Sequence, residues 1–300
     1  MAEITTAMVK QLRELTGAGV LACKNALVEN DGDIDKAVDS LRERGEAQAV
    51  KKAGRIAAEG IVEAVVKDNK AVIVEVNSET DFVAKNEKFR VFVDEVVQQI
   101  FVTAAADVEE LLEDKWLADE SKTVREAVVS MVATIGENIS IRRFEKIETE
   151  GMIVSYVHGG GRIGVLVEAA SVVDGAEEAL KNVAMQIAAL SPRYISEADV
   201  DPEFLAHEKE ILTAQAKNDP ANAKKPENII EKMVIGRINK GMKEICLMEQ
   251  PYVKDDSMSV GRYLKSAGDI VVKRFIRFET GEGIEKKREN FAEEVAKQIG

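Results

Sequence analysis

The sequence predicts an α+β protein with several structural units around a duplicated core of two antiparallel-sheet and helix subdomains. Three observations support this: apolar residues at helical spacing in the first fifty positions, stretches of β-branched residues further on, and an internal repeat. A chain of 300 residues is also longer than one compact core usually holds. We expect an N-terminal module, a first core subdomain, a second core subdomain in two pieces, a helical arm and a C-terminal helix, at residues 1–54, 55–147, 148–200 with 241–283, 201–240 and 284–300.

The first unit is predicted to be a module of three short helices. Thr5 can cap the first helix and Gly17 can end it. A second helix covers about residues 21–28, and a third begins after Asp33 and stops at Gly45. Four apolar residues share one face of the first helix: Met8, Val9, Leu12 and Leu15. Three such helices can fold semi-independently.

Strand periodicity begins at Gly60. The runs IVEAVV and AVIVEV flank KDNK, which predicts an antiparallel hairpin. The helix that follows Phe82 carries six apolar residues at the spacing of a buried face: Phe89, Phe92, Val93, Val96, Val97 and Ile100. A further helix at about residues 124–135 ends at Gly136.

The same pattern then recurs. EGIVEAVVKDNKAVIVEV is echoed by EGMIVSYVHGGGRIGVLVEA, so that Glu75 matches Glu168, and ISIRRFEKIETEG is echoed by VKRFIRFETGEG. Two copies indicate a duplicated core rather than a solenoid.

Residues 201–240 interrupt the second copy with two helical segments. We expect a protruding antiparallel hairpin, with Phe204, Ile211 and Ala214 on one helix facing Ile230, Val234 and Ile238 on the other. The final segment, 284–300, has the pattern of an amphipathic helix.

Charge and cysteine content limit the classes of function. A net charge of −13 argues against a general nucleic-acid binder and against binding to an anionic membrane. Cys23 and Cys246 form no CxxC motif, so we expect neither a disulfide framework nor a zinc site, and Cys23 reads as a small buried residue. No signal peptide or membrane-spanning stretch is visible, and a cytoplasmic protein is expected.

No catalytic, metal or cofactor motif is recognisable. The segment HGGGRIG, which includes His158, lies between two strands and favours a hairpin turn over a ligand loop by about five to one. His207 falls on a charged, solvated helix. Lys51, Lys52 and Arg55 favour a solvated or protein-contacting face over a nucleic-acid patch by about four to one. The 54 carboxylates show no metal-binding spacing.

Asp81 and Phe82 stand between a strand and a helix, and two readings of each are open. Asp81 reads as a helix cap by about two to one over a contact residue. Phe82 lies seven residues before Phe89 and could extend its buried face. The matching connection in the second copy, ASVVDGAEEAL, has no aromatic residue, as expected if Phe82 lies outside a shared core. The residues alone favour an interaction protein over an enzyme.

Two stretches carry a more specific signal. They closely resemble the two signature motifs of the bacterial elongation factor Ts family and read LRELTGAGVLACKNAL (12–27) and EVNSETDFVAKN (75–86). Four further segments resemble other blocks of that family and occur in matching order: TIGENISIRR, SYVHGGGRIGVLV, IIEKMVIGR and FIRFETGEGIEK. The family commonly has Asp where this chain has Ala22, which removes a cap or contact from the first bundle. The arm loop, KNDPANAKKPEN, is longer than in some members.

The resemblance implies a guanine nucleotide exchange factor for the GTPase elongation factor Tu. Such a protein works by protein contact, without catalytic residues, cofactor, bound metal, nucleic acid or membrane. The resemblance also implies that the three-helix module is of ubiquitin-associated type. The loop expected to bind the partner and displace its Mg²⁺ comprises Thr80, Asp81, Phe82 and Val83, with Phe82 inserted between helices of the GTPase. Five further positions are implied as partner contacts: Lys24, Lys52, Ile135, Gly136 and His158.

Two other classes of function remain open. A scaffold or chaperone-like binder would use the three-helix module and the acidic surface, and would associate tightly without speeding nucleotide release. A hydrolase or transferase with an unrecognised carboxylate site would show turnover with a divalent metal.

Overall fold

The computed structural model describes residues 4–172, 174–222 and 225–285 and shows a mixed α/β fold with small antiparallel sheets. The mixed fold class expected from the sequence is therefore confirmed, whereas the division into five units stays a prediction. The expected C-terminal helix lies outside the described residues except for positions 284 and 285. Across the described ranges, no helix combines the length and apolar composition needed to cross a membrane.

The N-terminal part consists of α1 (Thr6–Thr16), α2 (Val20–Glu29) and α3 (Ile34–Lys52). The Thr5 hydroxyl accepts a hydrogen bond from the Met8 N–H, and Gly17 adopts a left-handed conformation that ends α1. The side chain of Asp33 caps α3 in the same way. The helices enclose a small core: Leu12, Cys23, Ala26, Leu27 and Ala37.

The first sheet begins with β1 (Glu59–Lys67) and β2 (Lys70–Ser78), joined by the expected tight hairpin. Four helices follow: α4 (Asp81–Ala84), α5 (Glu87–Val102), α6 (Val108–Glu113) and α7 (Val124–Ile135). Strand β3 (Ser140–Glu148) then pairs with β2, giving the order β1-β2-β3. All six residues expected on the inner face of α5 are buried.

Gly45 does not end the third helix, so that prediction was wrong. Helix α3 continues through it to Lys52. Gly45 is buried where α3 packs on α7, and a Cβ at this position would lie 3.5 Å from the Cβ of Ala133. Packing against a neighbouring helix thus overrides the weak helix propensity of glycine.

The second sheet begins with β4 (Met152–His158) and β5 (Ile163–Ala169), followed by α8 (Ala176–Leu190). Helices α9 (Pro202–Asn218) and α10 (Glu227–Ile245) form a hairpin. The chain then forms β6 (Pro251–Tyr252), β7 (Asp255–Ser259), α11 (Val260–Ser266) and β8 (Val272–Glu279). Strand β8 pairs with β5, giving the order β4-β5-β8.

The expected contact face of α10 is confirmed, and Phe204 of α9 packs with Ile238, but the rest of the α9 face differs from the one expected. Leu212 and Ala216 of α9 pack with Ile230 and Val234 of α10. Ile211 and Ala214, which were expected to face α10, are exposed. Residues 212 and 216 are four positions apart and lie on one helical face, which excludes Ile211 from the contact. Helix α10 also continues beyond residue 240 to Ile245.

The internal repeat appears as two sheets with the same strand order and the same irregularity. In each sheet a buried glutamate of the central strand stands opposite an arginine of the last strand, in the pairs Glu75–Arg143 and Glu168–Arg274. The register shifts directly after each glutamate, which marks a β-bulge. The extra residue in the last strand is basic in both sheets: Arg142 and Lys273.

The two sheets pack against each other through apolar side chains, most of which are small or β-branched. Their shared core is formed by Val62, Ala64, Ala71, Ile73, Ile147, Leu166 and Phe278. The approach is close enough to require glycine, since a Cβ on Gly164 would lie 2.5 Å from Cγ1 of Val62. The backbone N–H of Val62 also donates to the carbonyl oxygen of Gly161 at 2.7 Å.

Both buried glutamates are held ionised by their partners. Burial alone raises the pKa of the Glu168 carboxyl, but hydrogen bonds from Lys273, Thr149 and Arg274 outweigh it and lower the pKa to about 2. For Glu75, burial is likewise outweighed by hydrogen bonds from the Gly281 N–H, Arg142, Asn77 and Arg143, and its pKa is lowered. These carboxylates therefore stabilise the fold only while they are charged.

We expect the protein to lose stability as the pH falls from about 5 towards 2. The folded-state pKa of Glu168, about 2, lies below the ordinary value of 4.5, so its contribution is complete above the ordinary value and disappears as the folded protein becomes protonated. In urea unfolding, Glu168→Gln should remove on the order of 2 kcal/mol of this pH dependence. The exposed Glu150→Gln is the matched control. An unchanged pH profile in Glu168→Gln would contradict the assignment.

Candidate partner-binding site

Phe82 points away from the protein. It lies on the single turn of α4, which a two-residue connection joins to β2, and 78% of it is exposed. Its neighbour Val83 is buried in the core beneath the first sheet and anchors the turn. Successive residues of a helix point about 100° apart, so burial of Val83 directs Phe82 outwards. The reading of Phe82 as an extension of the buried face of α5 is therefore wrong.

Asp81 is the first residue of α4, and Thr80 occupies the cap position, so the prediction of Asp81 as the cap is wrong. The Asp81 carboxylate accepts a hydrogen bond from Lys85 Nζ at 2.9 Å, and this bond lowers the pKa of Asp81. The same ammonium lies 5.8 Å from the centroid of the Phe82 ring. An ionised carboxylate thus stands beside an exposed aromatic ring.

The loop that leads to Phe82 is held by the loop that follows α7. Glu137 Oε2 accepts hydrogen bonds from the backbone N–H groups of Glu79 and Thr80, at 3.1 and 3.0 Å, and its Oε1 accepts one from the Thr80 hydroxyl at 2.7 Å. In return, Glu79 Oε1 accepts a hydrogen bond from the backbone N–H of Asn138 at 2.6 Å. We call Glu79, Thr80, Glu137 and Asn138 the loop clamp.

The end of α7 lies beside Phe82. A groove of about 330 Å³ is lined by Phe82, Val83, Asn86, Lys88, Thr134 and Ile135. Gly136, in a left-handed conformation, ends α7, and a Cβ there would lie 3.9 Å from Lys52 Nζ. The structure thus brings together residues from three separate segments of the sequence: Lys52, Phe82, and Ile135 with Gly136.

Two of the expected contact residues lie elsewhere, and neither lines this groove. Lys24 is exposed on α2. His158 ends β4, and its Nδ1 lies 2.9 Å from the Tyr156 hydroxyl. The turn after His158 is linked to α5 by Arg90, whose guanidinium donates to the Gly160 carbonyl oxygen at 3.3 Å.

Sequence reasoning missed an exposed apolar group on the N-terminal helices: Leu15, Val20 and Leu21. The spacing places Leu15 on the apolar face of α1 with Met8, Val9 and Leu12, but in the structure Leu15 is exposed. The turn at Gly17 lies against α7, since a Cβ on Gly17 would be 3.5 Å from Thr134 Oγ1. Leu15 itself lines a cleft together with Thr134, near the same end of α7 as Phe82. A signal was present for Leu21, which lies two positions before the buried Cys23 and so faces away from it.

A larger cleft lies beside the contact between the N-terminal helices and α7. It has a volume of about 480 Å³, and Ala22 is among its lining residues. Arg42 of α3 spans this cleft to reach Glu126 of α7 at 3.1 Å. Its lining is mainly small and charged, and it contains none of the residues around Phe82 except Thr134.

Comparison with known proteins is decisive for the family. A family model described as Elongation factor TS matches residues 79–282. The chain is 52% identical over 307 residues to elongation factor Ts of Clostridium perfringens (strain SM101 / Type A), with 99% of each chain covered. The chain belongs to the elongation factor Ts family. It is also 50% identical over 308 residues to elongation factor Ts of Clostridioides difficile (strain 630), with 100% of each chain covered.

The resemblance seen in the sequence motifs is thereby confirmed, and membership of the elongation factor Ts family makes this chain a translation elongation factor. The matched region begins at Glu79 and therefore includes the loop clamp, Phe82 and the groove beside it.

We expect the exposed and buried aromatic residues of this segment to respond differently to truncation. Phe82→Ala should change the free energy of unfolding by less than about 0.5 kcal/mol, because the ring is already in water. Phe89→Ala, seven residues later and fully buried, should cost about 3–5 kcal/mol. Urea unfolding of both variants tests this, and a large loss of stability in Phe82→Ala would show that the ring packs inside the protein.

Proposed function

We propose that this chain promotes the release of GDP from elongation factor Tu in the cytoplasm, so that GTP can bind again. It would act by protein–protein contact and would carry out no bond chemistry. The observation that carries this proposal is the exposed Phe82 ring, fixed from behind by Val83 and by the loop clamp. Membership of the elongation factor Ts family supports the translational setting.

The mechanism follows from how a GTPase holds its nucleotide. Backbone N–H groups and a Mg²⁺ ion hold the phosphates in such a protein. A bulky group pushed between the elements that shape this site displaces them. Phe82 suits this role because a phenyl ring offers a large area and has only two side-chain torsions to fix. Asp81 would orient the approach by exchanging its exposed pairing with Lys85 for contacts to the partner.

The surface around Phe82 supplies the rest of the binding energy. Ile135 lines the groove beside the ring, Gly136 follows it at the end of α7 with Lys52 close by, and Leu15 lines the neighbouring cleft with Thr134. We propose that Lys24 and His158 contact more distant parts of the partner. We also propose the finer architecture: a module of ubiquitin-associated type formed by α1–α3, two core subdomains and a helical arm.

Exchange requires reciprocity between the two ligands of the GTPase. If this chain weakens the binding of GDP, GDP must weaken the binding of this chain by the same factor. A thousandfold mutual weakening corresponds to about 4 kcal/mol, which one or two buried interface residues with their surrounding contacts can supply.

We expect Phe82→Ala to slow the release of labelled GDP from elongation factor Tu by about tenfold to a hundredfold, the usual cost of truncating a central aromatic contact. Asp81→Ala should have a smaller effect, since exposed charges contribute less. Val253→Ala, an exposed apolar residue on the hairpin of β6 and β7, is the matched control and should behave as wild type.

The same measurement separates the competing functions. A folded Phe82→Ala variant with the rate of wild type would remove the proposed role of the ring. Tight association of wild type without faster release would instead indicate a scaffold, and would contradict exchange activity altogether.

A further inference from the structure

We infer that Glu137 is a positioning residue for Phe82, which fixes the conformation in which the ring is presented before any partner arrives. This inference rests on the proposed function, because it assigns a residue to the exchange step. Glu137 lies 55 positions after Phe82 in the sequence and acts on it only through the loop clamp.

The hydrogen bonds to Glu137 satisfy groups that the secondary structure leaves without partners. Glu79 and Thr80 lie between the end of β2 at Ser78 and the start of α4 at Asp81. Strand and helix therefore provide no acceptor for their N–H groups, and the first N–H groups at a helix start always need one from outside. The Thr80 side chain makes no cap bond to α4 and donates to Glu137 instead. One carboxylate thus takes three donors from the two residues that precede the Phe82 turn.

The clamp is closed from the other side as well. Glu79 accepts from the backbone N–H of Asn138, and the Asn138 side chain donates to the Arg55 carbonyl oxygen at 2.9 Å. Within the loop, the Ser78 hydroxyl donates to the carbonyl oxygen of Thr80 at 3.1 Å. Three chain segments, around residues 55, 79 and 137, are therefore fixed to one another immediately behind α4.

Such a clamp matters because an exposed ring on a mobile loop binds weakly. Every residue that must become ordered on binding subtracts from the affinity, whereas a loop that is already fixed carries no such loss. Displacement of a partner helix also requires that the segment carrying Phe82 is rigid. Val83 fixes α4 because its side chain is buried in the core, and Glu137 fixes the connection before α4 by hydrogen bonds. We assign Glu137 to this role because its carboxylate holds both N–H groups of the connection.

The test compares three substitutions at position 137 in the full chain. Glu137→Ala should lower the maximal rate of GDP release from elongation factor Tu, at saturating factor, by about tenfold, as expected for the loss of two or three hydrogen bonds. Glu137→Gln keeps an oxygen that can accept both N–H bonds and should stay within about threefold of wild type. Glu137→Asp keeps the charge but is one methylene shorter, and should lose about as much as Ala.

The matched control is Glu110→Ala. Glu110 also accepts a hydrogen bond from a loop N–H, that of Ala106 at 2.9 Å, on a different part of the surface. Its substitution should leave GDP release unchanged. If Glu137→Ala fails to fold, the comparison of Gln with Asp still distinguishes hydrogen bonding from charge.

Two readouts separate positioning from a general effect on folding. Amide hydrogen exchange at Glu79 and Thr80 should accelerate in Glu137→Ala, while the amides of Val74 in the central strand remain protected. In a Phe82→Ala background, Glu137→Ala should cause no further loss in GDP release, because the two residues act as one unit.

Failure of the positioning role can be distinguished from failure of the proposed function. Any one of three results would overturn the positioning role. Glu137→Ala could give the wild-type rate of GDP release, its loss could add fully to that of Phe82→Ala, or amide exchange at Glu79 and Thr80 could be unchanged. If wild type does not accelerate GDP release, the proposed function fails and the positioning role fails with it. If wild type accelerates GDP release and Phe82→Ala does so equally well, the exchange function stands. The positioning role is then overturned, because the ring that Glu137 would position has no part in exchange.

Discussion

The carboxylate of Glu75 lies in the central strand of the first sheet with its side chain fully buried, and it joins the two halves of the core. It binds Arg142 and Arg143 of the neighbouring strand and also accepts the backbone N–H of Gly281 at 2.7 Å, from the segment after the last strand of the second sheet. A buried charge of this kind is stable only when its partners surround it, so the two sheets must stay together. The strand that carries it, β2, leads into the connection that precedes Phe82. This connection therefore begins at a rigidly held strand.

Two neighbouring residues, Val83 and Phe82, show how the fold divides its apolar groups between stability and binding. Val83 contributes to the core, while Phe82 contributes almost nothing to it and stays in contact with water. Exposure of a large aromatic ring has no benefit for folding, since burial of such a ring is a main source of stabilisation. The exposed ring is instead held on a short, tightly hydrogen-bonded turn, which is the arrangement that the proposed exchange function requires.

Much of the fold could be predicted from local pattern. The inner face of α5, the two hairpins, the end of α7 at Gly136 and the internal repeat all follow from periodicity and turn residues. The structure departs from local pattern where distant packing decides: at Gly45, which a neighbouring helix covers, and at Leu15, which no helix covers. The motif around Phe82 indicated the candidate site, but the loop clamp left no local signal, because Glu137 and Thr80 are 57 residues apart and meet only after the sheet has formed.

The position of the Gly281 N–H has a consequence for biosynthesis. Glu75 emerges from the ribosome long before this donor, which follows it by 206 residues, and the arm of α9 and α10 is made in between. A nascent chain can therefore build its N-terminal helices and pair β1, β2 and β3 early, yet one donor to the central carboxylate is still missing until Gly281 has been made. The two sheets close on each other as a late event, and a chain interrupted shortly before Gly281 would carry a complete Phe82 turn on a core that has not been locked.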